Sequence, residues 1–285
     1  MTSLPRPILF VKYYDKGSTV MGADQVSEAL RALGVDARSV HVADIADVSG
    51  AILVFIKTSA WLDLRRAKRR GNAVVLDVQD TVCFKRRIKH ARLWDGLIFK
   101  SRRALQDFAT NRAEPVVLYH QWDPRYRPHQ AGLDELKVAY LGHRRSLKRW
   151  NELPGITCID EDALRAEGRY GDLMTAALPF NCHFSIREER REFLYKPNAK
   201  VSTAAACDVN LITTPDEISV ELLGADYPYY TDVGAASIAK AMEKARETLG
   251  GPVWQQGLAR MAEVRERTKI ERIAEDYVEY FRRFC

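Results

Sequence analysis

Short apolar segments alternate with longer amphipathic segments along the first half of the chain, and this alternation limits the fold more than any other feature. Six apolar runs have the length and composition of β-strands, at residues 8–11, 37–41, 51–56, 74–77, 96–99 and 115–119. Segments with helical spacing separate them, at residues 24–33, 59–70, 85–93 and 101–109. Strands joined through helices form parallel sheets that are buried on both faces. The sequence therefore predicts an α/β protein.

The same pattern restarts after an interruption. Residues 122–132 contain two prolines and a glycine that break both periodicities, so we place a domain boundary there. Further strands are predicted at residues 137–141, 156–159, 182–186, 209–213 and 227–230, and further helices at residues 146–153, 198–207, 217–223, 236–249 and 253–284. We therefore predict two tandem Rossmann-like domains, at residues 1–130 and 131–262, followed by a terminal helix at residues 263–285.

The composition excludes several classes of protein. With 46% hydrophobic and 29% charged residues, the chain is neither disordered nor collagen-like. The five cysteines form no Cys-x-x-Cys pair, and their odd number argues against a disulfide framework, which favours reduced thiols in a cytosol. The longest wholly apolar run, at residues 51–56, is far shorter than the ~20 residues that span a bilayer. No secretory signal is visible. We expect a cytoplasmic protein, either soluble or peripheral at the inner face of the membrane.

The loops that follow strands are the candidate site, because ligands of open parallel sheets bind at the carboxyl ends of the strands. The loop at residues 12–22 has neither the Gly-x-Gly-x-x-Gly pattern of dinucleotide sites nor the P-loop pattern. This argues against a nicotinamide or flavin oxidoreductase. That loop holds Asp15, and the loop after strand 74–77 holds Asp80. Either carboxylate is a candidate general base, and Asp80 is alternatively the cap of the next helix.

In the second half, two strand-to-helix turns carry basic residues. The turn after strand 137–141 contains Gly142, Arg144 and Lys148. At a helix start, basic side chains add to the free backbone N–H groups and the helix dipole, which favours a bound anion. The alternative interpretation is a solvated basic turn.

The second such turn combines Arg187 with Lys196, Asn198 and Lys200, ahead of a helix of alanine, serine and threonine. Asn198 is of a residue type preferred as an N-cap, and the small side chains allow close approach of the backbone to a ligand. Two helix starts that suit phosphate in one domain predict a diphosphate ligand.

Several segments together resemble the GT-B glycosyltransferases over nearly the whole chain. The stretch from Lys200 through the strand at 209–213 is similar to the donor-domain signature of a lysine, a small-residue helix, a glycine turn and a Pro-Val-Ile-like strand. Gly142, with Lys148 six residues later, resembles the Gly-Arg-x4-Lys element that holds the donor diphosphate. Residues 74–80 and 96–101 look like the third and fourth strands of the acceptor domain.

The chain departs from the GT-B pattern at positions that matter for mechanism. Where the pattern has a glycine, a proline, an arginine and the two glutamates of Glu-x7-Glu, this chain has Asp208, Asn210, His143, Thr203 and Tyr195. Neither retaining stereochemistry nor the usual ribose-binding glutamate therefore carries over. Arg144 can replace the missing arginine through a shift of one residue. The missing carboxylate can come from Asp216, Glu217 or Glu221.

The resemblance implies sugar transfer from a nucleotide-sugar donor to an acceptor hydroxyl. Arg144, Lys148, Arg187 and Lys200 would then stabilise the diphosphate charge that grows as the glycosidic bond breaks. Asp15 or Asp80 would accept the proton of the acceptor in an inverting mechanism. No metal or other cofactor is expected, since the donor is a co-substrate. His183, alone in a predicted strand, is interpreted as an interior histidine.

The net charge of +6 is concentrated in the first half. Residues 57–112 hold fifteen Lys or Arg against five Asp, on helices whose other faces are expected to carry Trp61 and Leu64. Such basic helices suit an anionic membrane surface and a glycan or lipid-linked acceptor of the cell envelope. The same charge suits a nucleic acid acceptor, or only solubility. A catalytically inactive binding protein remains a further alternative.

The terminal helix has two interpretations. Its apolar stripe can cross back and brace the first domain, as the GT-B resemblance implies, or it can pair with another subunit. We expect it to brace the first domain.

Overall fold

The computed structural model describes residues 4–15, 17–79, 92–110, 112–129, 131–147, 153–188 and 193–285. The chain forms two compact units. Unit 1 consists of Met1–Gln121, Arg191–Pro197 and Arg267–Cys285, and unit 2 consists of Trp122–Arg190 and Asn198–Glu266. The last helix of the chain therefore belongs to the unit that the first residues form.

The units divide between Gln121 and Trp122 rather than at residue 130, where the sequence places the boundary. The reason is that the loop after residue 121 is bonded within unit 2. The Trp122 indole approaches the Arg265 carbonyl at 3.4 Å. The backbone N–H of His129 donates to the Cys207 carbonyl at 3.2 Å. Prolines mark the loop in sequence, but these contacts decide to which unit it belongs.

Unit 1 is built on a parallel sheet of six strands in the order β2-β1-β3-β4-β5-β6. The strands are β1 Ile8–Lys12, β2 Ala37–His41, β3 Ile52–Ile56, β4 Ala73–Asp77, β5 Gly96–Phe99 and β6 Glu114–Val117. Strands β3, β4 and β5 are buried along their whole length. Continuous burial explains why these strands have unbroken apolar runs rather than alternating ones.

Helices cover both faces of this sheet. Helix α1 combines α-helical Gly17–Thr19, a π-helical insert Val20–Gln25 and α-helical Val26–Ala32, and the next helices are α2 Trp61–Arg69 and α3 Arg102–Phe108. The last helix of the chain, Ile270–Phe281, packs on the same face as α1. Its Tyr277 and Phe281 rings lie 5.7 Å and 6.3 Å from the ring of Phe10. The opposite face packs against Leu64 and Trp94.

Unit 2 has a parallel sheet of four strands in the order β10-β9-β7-β8. Its strands are β7 Val138–Gly142, β8 Ile156–Asp160, β9 Cys182–Ser185 and β10 Asn210–Thr213. Its helices are α4 Arg144–Leu147, α5 Glu161–Ala166, α6 Leu173–Ala177, α7 Ala199–Cys207, α8 Glu217–Leu223, α9 Ala235–Glu247 and α10 Pro252–Thr268, the last of which ends in unit 1. Two parallel sheets with helices confirm the predicted α/β class and tandem Rossmann-like architecture.

The predicted strand at residues 227–230 does not form and is corrected to a loop. A single parallel bridge joins Tyr230 to Thr213. Pro228 has no N–H to donate to a ladder. The tyrosines pack through their rings instead, and the Tyr227 hydroxyl accepts from the Leu211 N–H at 2.8 Å. An aromatic run that resembles a strand here fills space beside β10.

The predicted helix at residues 253–284 divides into α10 and α11, which spans Ile270–Phe281. Lys269 between them is extended, with φ −65° and ψ 145°. Neither proline nor glycine marks this break, so helical periodicity alone could not locate it. Residues 85–91 of another predicted helix lie outside the described residues, as do residues 148–152 beyond α4. Across the described ranges, no helix is long and apolar enough to cross a membrane.

A buried ion pair lies at the carboxyl ends of the central strands of unit 1. Asp77 and Lys100 are 0% and 3% exposed, and Lys100 Nζ donates to Asp77 Oδ2 at 3.0 Å. The Tyr277 hydroxyl from α11 and the Gln79 amide donate to the same carboxylate, at 2.8 Å and 2.9 Å. Burial and the neighbouring Asp77 raise the pKa of Tyr277 well above its ordinary value, so this hydroxyl remains a donor. The terminal helix is thus tied to the sheet by a polar contact as well as by its apolar face.

We expect Lys100→Met to destabilise unit 1 by about 3–5 kcal/mol, because it leaves the Asp77 carboxylate buried without its cation. Urea unfolding measures this loss. Lys68→Met is the matched control, since Lys68 pairs with Asp95 at 2.5 Å where both side chains are about one-third exposed, and removing such a pair costs about 0–1 kcal/mol. Equal losses of unfolding free energy in the two variants would contradict the conclusion that the buried Asp77–Lys100 pair stabilises unit 1 more than an exposed pair does.

Candidate functional site

The carboxyl edge of the unit 2 sheet gathers most of the residues that the sequence marks as anion ligands. Strand β7 ends at Gly142 and β9 ends two residues before Arg187, while α7 begins beside Asn198 and Lys200. Asp216 occupies the start of α8. We call these five residues, Gly142, Arg187, Asn198, Lys200 and Asp216, the carboxyl-edge cluster.

Lys200 reaches from the first turn of α7 to the end of β7. Its Nζ donates to the Leu141 carbonyl and lies 4.3 Å from the centroid of the Tyr140 ring. Gly142 makes this approach feasible: a Cβ on Gly142 would lie 2.6 Å from Lys200 Nζ, and its φ of +143° is one that other residues rarely adopt. The sequence motif joins Gly142 with Lys148, which lies outside the described residues; the lysine that the structure places against Gly142 is Lys200.

Arg187 and Asp216 form a mostly buried ion pair in this cluster. Their side chains are 11% and 15% exposed, and Arg187 Nη1 lies 3.9 Å from Asp216 Oδ1. The Arg187 backbone N–H donates to Thr214 Oγ1 at 3.1 Å, which fixes the chain after β9. Burial lowers the pKa of the Arg187 guanidinium, and the charge of Asp216 offsets only part of that shift. Arginine starts so far above neutrality that it stays charged.

Asp216 also has structural partners. Its carboxylate accepts from the Ser219 N–H at 3.2 Å and from the Ser219 hydroxyl at 2.7 Å, which caps α8. Glu221 is half-buried in the middle of α8. Of the three predicted carboxylates, Asp216, Glu217 and Glu221, the structure brings Asp216 into the cluster and connects it to Arg187.

Asn198 stands at the N-cap position of α7, but its side chain makes no capping hydrogen bond. This corrects the expectation that its side chain caps the helix. Its Nδ2 donates instead to Ser219 Oγ at 2.9 Å and approaches Asp216 Oδ2 at 3.5 Å. The starts of α7 and α8 are thereby held together, because Asn198 bonds with the two residues that form the cap of α8.

The turn after β7 differs from the predicted anion pocket. The Arg144 N–H at the start of α4 donates to Asp160 Oδ1 at 3.3 Å, and Arg144 Nε lies 3.6 Å from Asp160 Oδ2. Burial tends to raise the pKa of Asp160, but the N–H groups of Arg144 and Asp162 and the Arg144 charge leave it lowered overall. A carboxylate of the chain itself therefore sits where the sequence suggests a bound anion. Lys148 lies outside the described residues.

The remaining predicted residues belong to unit 1. Lys196 is exposed. Asp15 is also exposed, and Lys12 Nζ donates to it at 2.7 Å and to Asp24 at 2.8 Å. The hydrogen bond and charge of Lys12 lower the pKa of Asp15. Asp80 lies outside the described residues.

His183 in β9 is 3% exposed, as expected of an interior histidine. Burial, with further contributions from His129 and Lys200, lowers the pKa of His183 to about 3. Its ring is therefore neutral near pH 7 and adds no positive charge beside Lys200. Among the residues that the structure describes, no group of three His, Cys, Asp or Glu is arranged to hold a metal ion.

Known proteins match this chain in structure and not in sequence. No family model and no curated protein sequence matches it. A glycosyltransferase from Rickettsia africae is 10% identical with a TM-score of 0.71, over 98% of both chains. AviGT4, a glycosyltransferase involved in avilamycin A biosynthesis, is 13% identical with a TM-score of 0.63, also over 98% of both. HepE of Anabaena, in complex with UDP and glucose, is 10% identical with a TM-score of 0.64, over 97% of this chain and 99% of HepE.

This is the GT-B fold. The likeness spans nearly the whole chain, so both units and the terminal helix belong to it. Within this GT-B fold, the carboxyl-edge cluster contains the mostly buried Arg187–Asp216 ion pair.

Two features of these units were not predicted from the sequence. One is Asp160, the last residue of β8, which the register pairs with Gly142. The other is the Asp77–Lys100–Tyr277 network, although Asp77 ends one buried strand and Lys100 follows the adjacent one. A polar residue at the end of each of two neighbouring parallel strands could have signalled the first two members.

We expect Gly142→Ala to destabilise unit 2 by about 1–3 kcal/mol, because the new Cβ requires a strained backbone and meets Lys200 Nζ. Urea unfolding tests this against Gly168→Ala, where φ is +70° and nothing lies within 4 Å of the added Cβ. Removing the ammonium in Gly142→Ala/Lys200→Met should restore part of the loss. If the double variant instead loses the sum of the two single-variant losses in unfolding free energy, the Gly142 and Lys200 positions are not coupled, and the close approach of Lys200 does not require glycine at position 142.

Proposed function

We propose that the chain is a glycosyltransferase that moves a sugar from a nucleotide-sugar donor to an acceptor hydroxyl. The strongest support is that the GT-B fold covers 98% of the chain and 98% of the glycosyltransferase from Rickettsia africae. The nucleotide-sugar class of donor is supported by HepE, whose structure contains UDP and glucose.

In this proposal the carboxyl-edge cluster binds the donor diphosphate. Lys200 and Arg187 supply positive charge, and the first turn of α7 supplies backbone N–H groups. Asp216 holds the Arg187 guanidinium in place, since a partly buried arginine needs a partner. As the glycosidic bond breaks, negative charge grows on the diphosphate, and preorganised cations stabilise it. Further donor contacts are assigned to Lys148, Asn198 and Glu221.

The acceptor proton goes to a carboxylate of unit 1, for which Asp15 and Asp80 are the candidates. Lys12 lowers the pKa of Asp15, which keeps it ionised but makes it a weaker base. This consideration favours Asp80. The reaction as proposed uses no metal and no other cofactor, because the two cations of the cluster take the role that a metal has in other transferases.

We further propose that the acceptor is a glycan or lipid-linked saccharide of the cell envelope, met at the inner face of an anionic membrane. The support is the positive charge of residues 57–112, which contain fifteen Lys or Arg and only five Asp. A nucleic acid acceptor shares this charge requirement, and salt-dependent binding of duplex DNA together with sugar transfer to it would favour that alternative.

A nucleoside diphosphate should stabilise the protein against heating, by about 2.7 kcal/mol at a hundred times its dissociation constant. We expect Lys200→Met to weaken this binding by about 10- to 150-fold, the loss of one charged hydrogen bond. Lys240→Met is the matched control, because Lys240 is exposed on α9, on the same unit. Thermal-shift titration with UDP and other nucleoside diphosphates measures the affinity of the wild-type protein and of both variants.

Two outcomes of that titration would contradict the proposal. If no nucleotide stabilises the wild-type protein, the chain is not a nucleotide-sugar enzyme. If Lys200→Met and Lys240→Met respond alike, the nucleotide binds elsewhere. Stabilisation without release of nucleoside diphosphate from any nucleotide sugar would favour the non-catalytic alternative.

The base assignment predicts a different pattern. Asp80→Asn should abolish transfer and leave nucleotide binding unchanged, because the base acts on the acceptor and not on the donor. Asp15→Asn should reduce transfer less, since Lys12 lowers the pKa of Asp15 and so weakens it as a base. Release of nucleoside diphosphate measures turnover, and the reverse order of effects would assign the base to Asp15.

A further inference from the structure

Helix α2 exposes two large apolar side chains. Trp61 is 43% exposed and Leu62 is 69% exposed, whereas Leu64 and Ala67 are buried against the sheet of unit 1. The sequence places Trp61 with Leu64 on the face opposite the basic residues, and the structure corrects this, because Trp61 lies beside the arginines. The outer face of α2, which we define as Trp61, Leu62, Arg65, Arg66 and Arg69, therefore combines exposed apolar groups with arginines.

The arginines of the outer face are not neutralised by nearby acids. The Arg65 guanidinium lies 4.5 Å from the centroid of the Trp61 ring, a cation–π contact that leaves its charge in place. Arg66 and Arg69 are exposed and form no ion pair within the described part of the chain. The single acidic residue of α2, Asp63, accepts from the Tyr13 hydroxyl at 2.5 Å and is only half-buried, away from the outer face.

Other basic residues nearby are already paired. Lys68 bonds to Asp95 at 2.5 Å, and Arg70 bonds to Asp47 at 2.8 Å. Charge that serves only solubility needs no tryptophan and leucine beside it, and two adjacent exposed apolar side chains carry a cost in water. The outer face therefore has the composition of a helix that lies in a bilayer interface, with arginines among headgroups and apolar side chains among acyl chains.

We propose that the outer face of α2 docks on an anionic lipid bilayer. Arg65, Arg66 and Arg69 bind headgroup phosphates, while Trp61 and Leu62 enter the boundary between headgroups and acyl chains. The apolar pair distinguishes this partner from a nucleic acid, whose phosphates match the arginines but whose backbone offers nothing to Leu62. The inference rests on the membrane contact of the proposed function and deepens it by assigning that contact to named residues of α2.

Flotation of the full chain with lipid vesicles tests the proposal. We expect binding to vesicles of equal parts phosphatidylcholine and phosphatidylglycerol, and none to phosphatidylcholine alone. Arg69→Gln should weaken binding about fivefold, the effect of one arginine near an anionic surface. Leu62→Ser should weaken it about tenfold, since a leucine side chain is no longer buried.

Two variants on unit 2 serve as matched controls. Lys240→Gln removes one exposed cation, and Leu133→Ser removes one leucine that is 48% exposed. Both should float like the wild-type protein. High salt should weaken the binding of wild-type protein and of Leu62→Ser, because exposed charges are screened beyond ~3 Å at 1 M salt.

Three results would overturn the proposal. Equal binding to neutral and anionic vesicles would remove the role of the arginines, and unchanged binding in both Arg69→Gln and Leu62→Ser would remove the role of α2. Failure to float with any vesicle, combined with duplex DNA binding that Arg69→Gln weakens, would assign the face to nucleic acid. Nucleotide binding is measured separately, so failure here leaves the donor-site test unaffected.

Discussion

Parallel strand pairing is the constraint on which the rest of this molecule depends. Parallel neighbours cannot be joined by a tight turn, so each connection must cross over the sheet, and all strands of a sheet then end at one edge. In unit 1 this brings Asp77 and Lys100 together although they are on different strands. In unit 2 it brings Gly142, Arg187 and the start of α7 to one edge. Both groups of charges arise from strand order rather than from a contiguous motif.

The cations at the two edges differ in how far they are buried. Lys100 is bonded to a carboxylate that also accepts from Tyr277 and Gln79, so its charge is balanced inside the unit and serves stability. Lys200 bonds to the Leu141 carbonyl and lies against the Tyr140 ring, and its side chain remains partly exposed. A partly exposed cation can meet a ligand, whereas Lys100 is enclosed within unit 1. We therefore assign the diphosphate to the edge of unit 2.

The sequence predicts features that local physics controls and misses those that depend on distant contacts. Strand β5 and helix α8 begin and end where the patterns predict, because continuous burial and an Asp cap leave local signals. Tyr227, Tyr229 and Tyr230 resemble a strand in sequence, since aromatic residues favour strands. The segment forms a loop instead, because Pro228 lacks an N–H and Tyr227 bonds to β10 through its hydroxyl. The break at Lys269 has no local signal at all.

The candidate site follows the same rule. Residue type and spacing place Gly142, Arg187, Asn198 and Lys200 correctly at helix starts and strand ends, because the carboxyl edge is fixed once the strands are parallel. They do not predict which partner each side chain takes. Asn198 bonds to Ser219 rather than to its own helix, and Arg144 meets Asp160. These hydrogen-bond partners lie 21 and 16 positions away in the chain, so local sequence patterns cannot predict them.

Burial separates the two uses that this chain makes of arginine. Arg187 is desolvated and needs Asp216 to remain there, so its guanidinium has a fixed position and suits recognition of one ligand geometry. Arg66 and Arg69 remain hydrated, so they attract any anionic surface over a Debye length of about 8 Å at physiological salt and impose no geometry. Hydrated arginines alone would bind lipid and nucleic acid alike. The exposed Trp61 and Leu62 distinguish these two partners, because a bilayer, unlike a nucleic acid backbone, offers an apolar phase in which both side chains gain free energy.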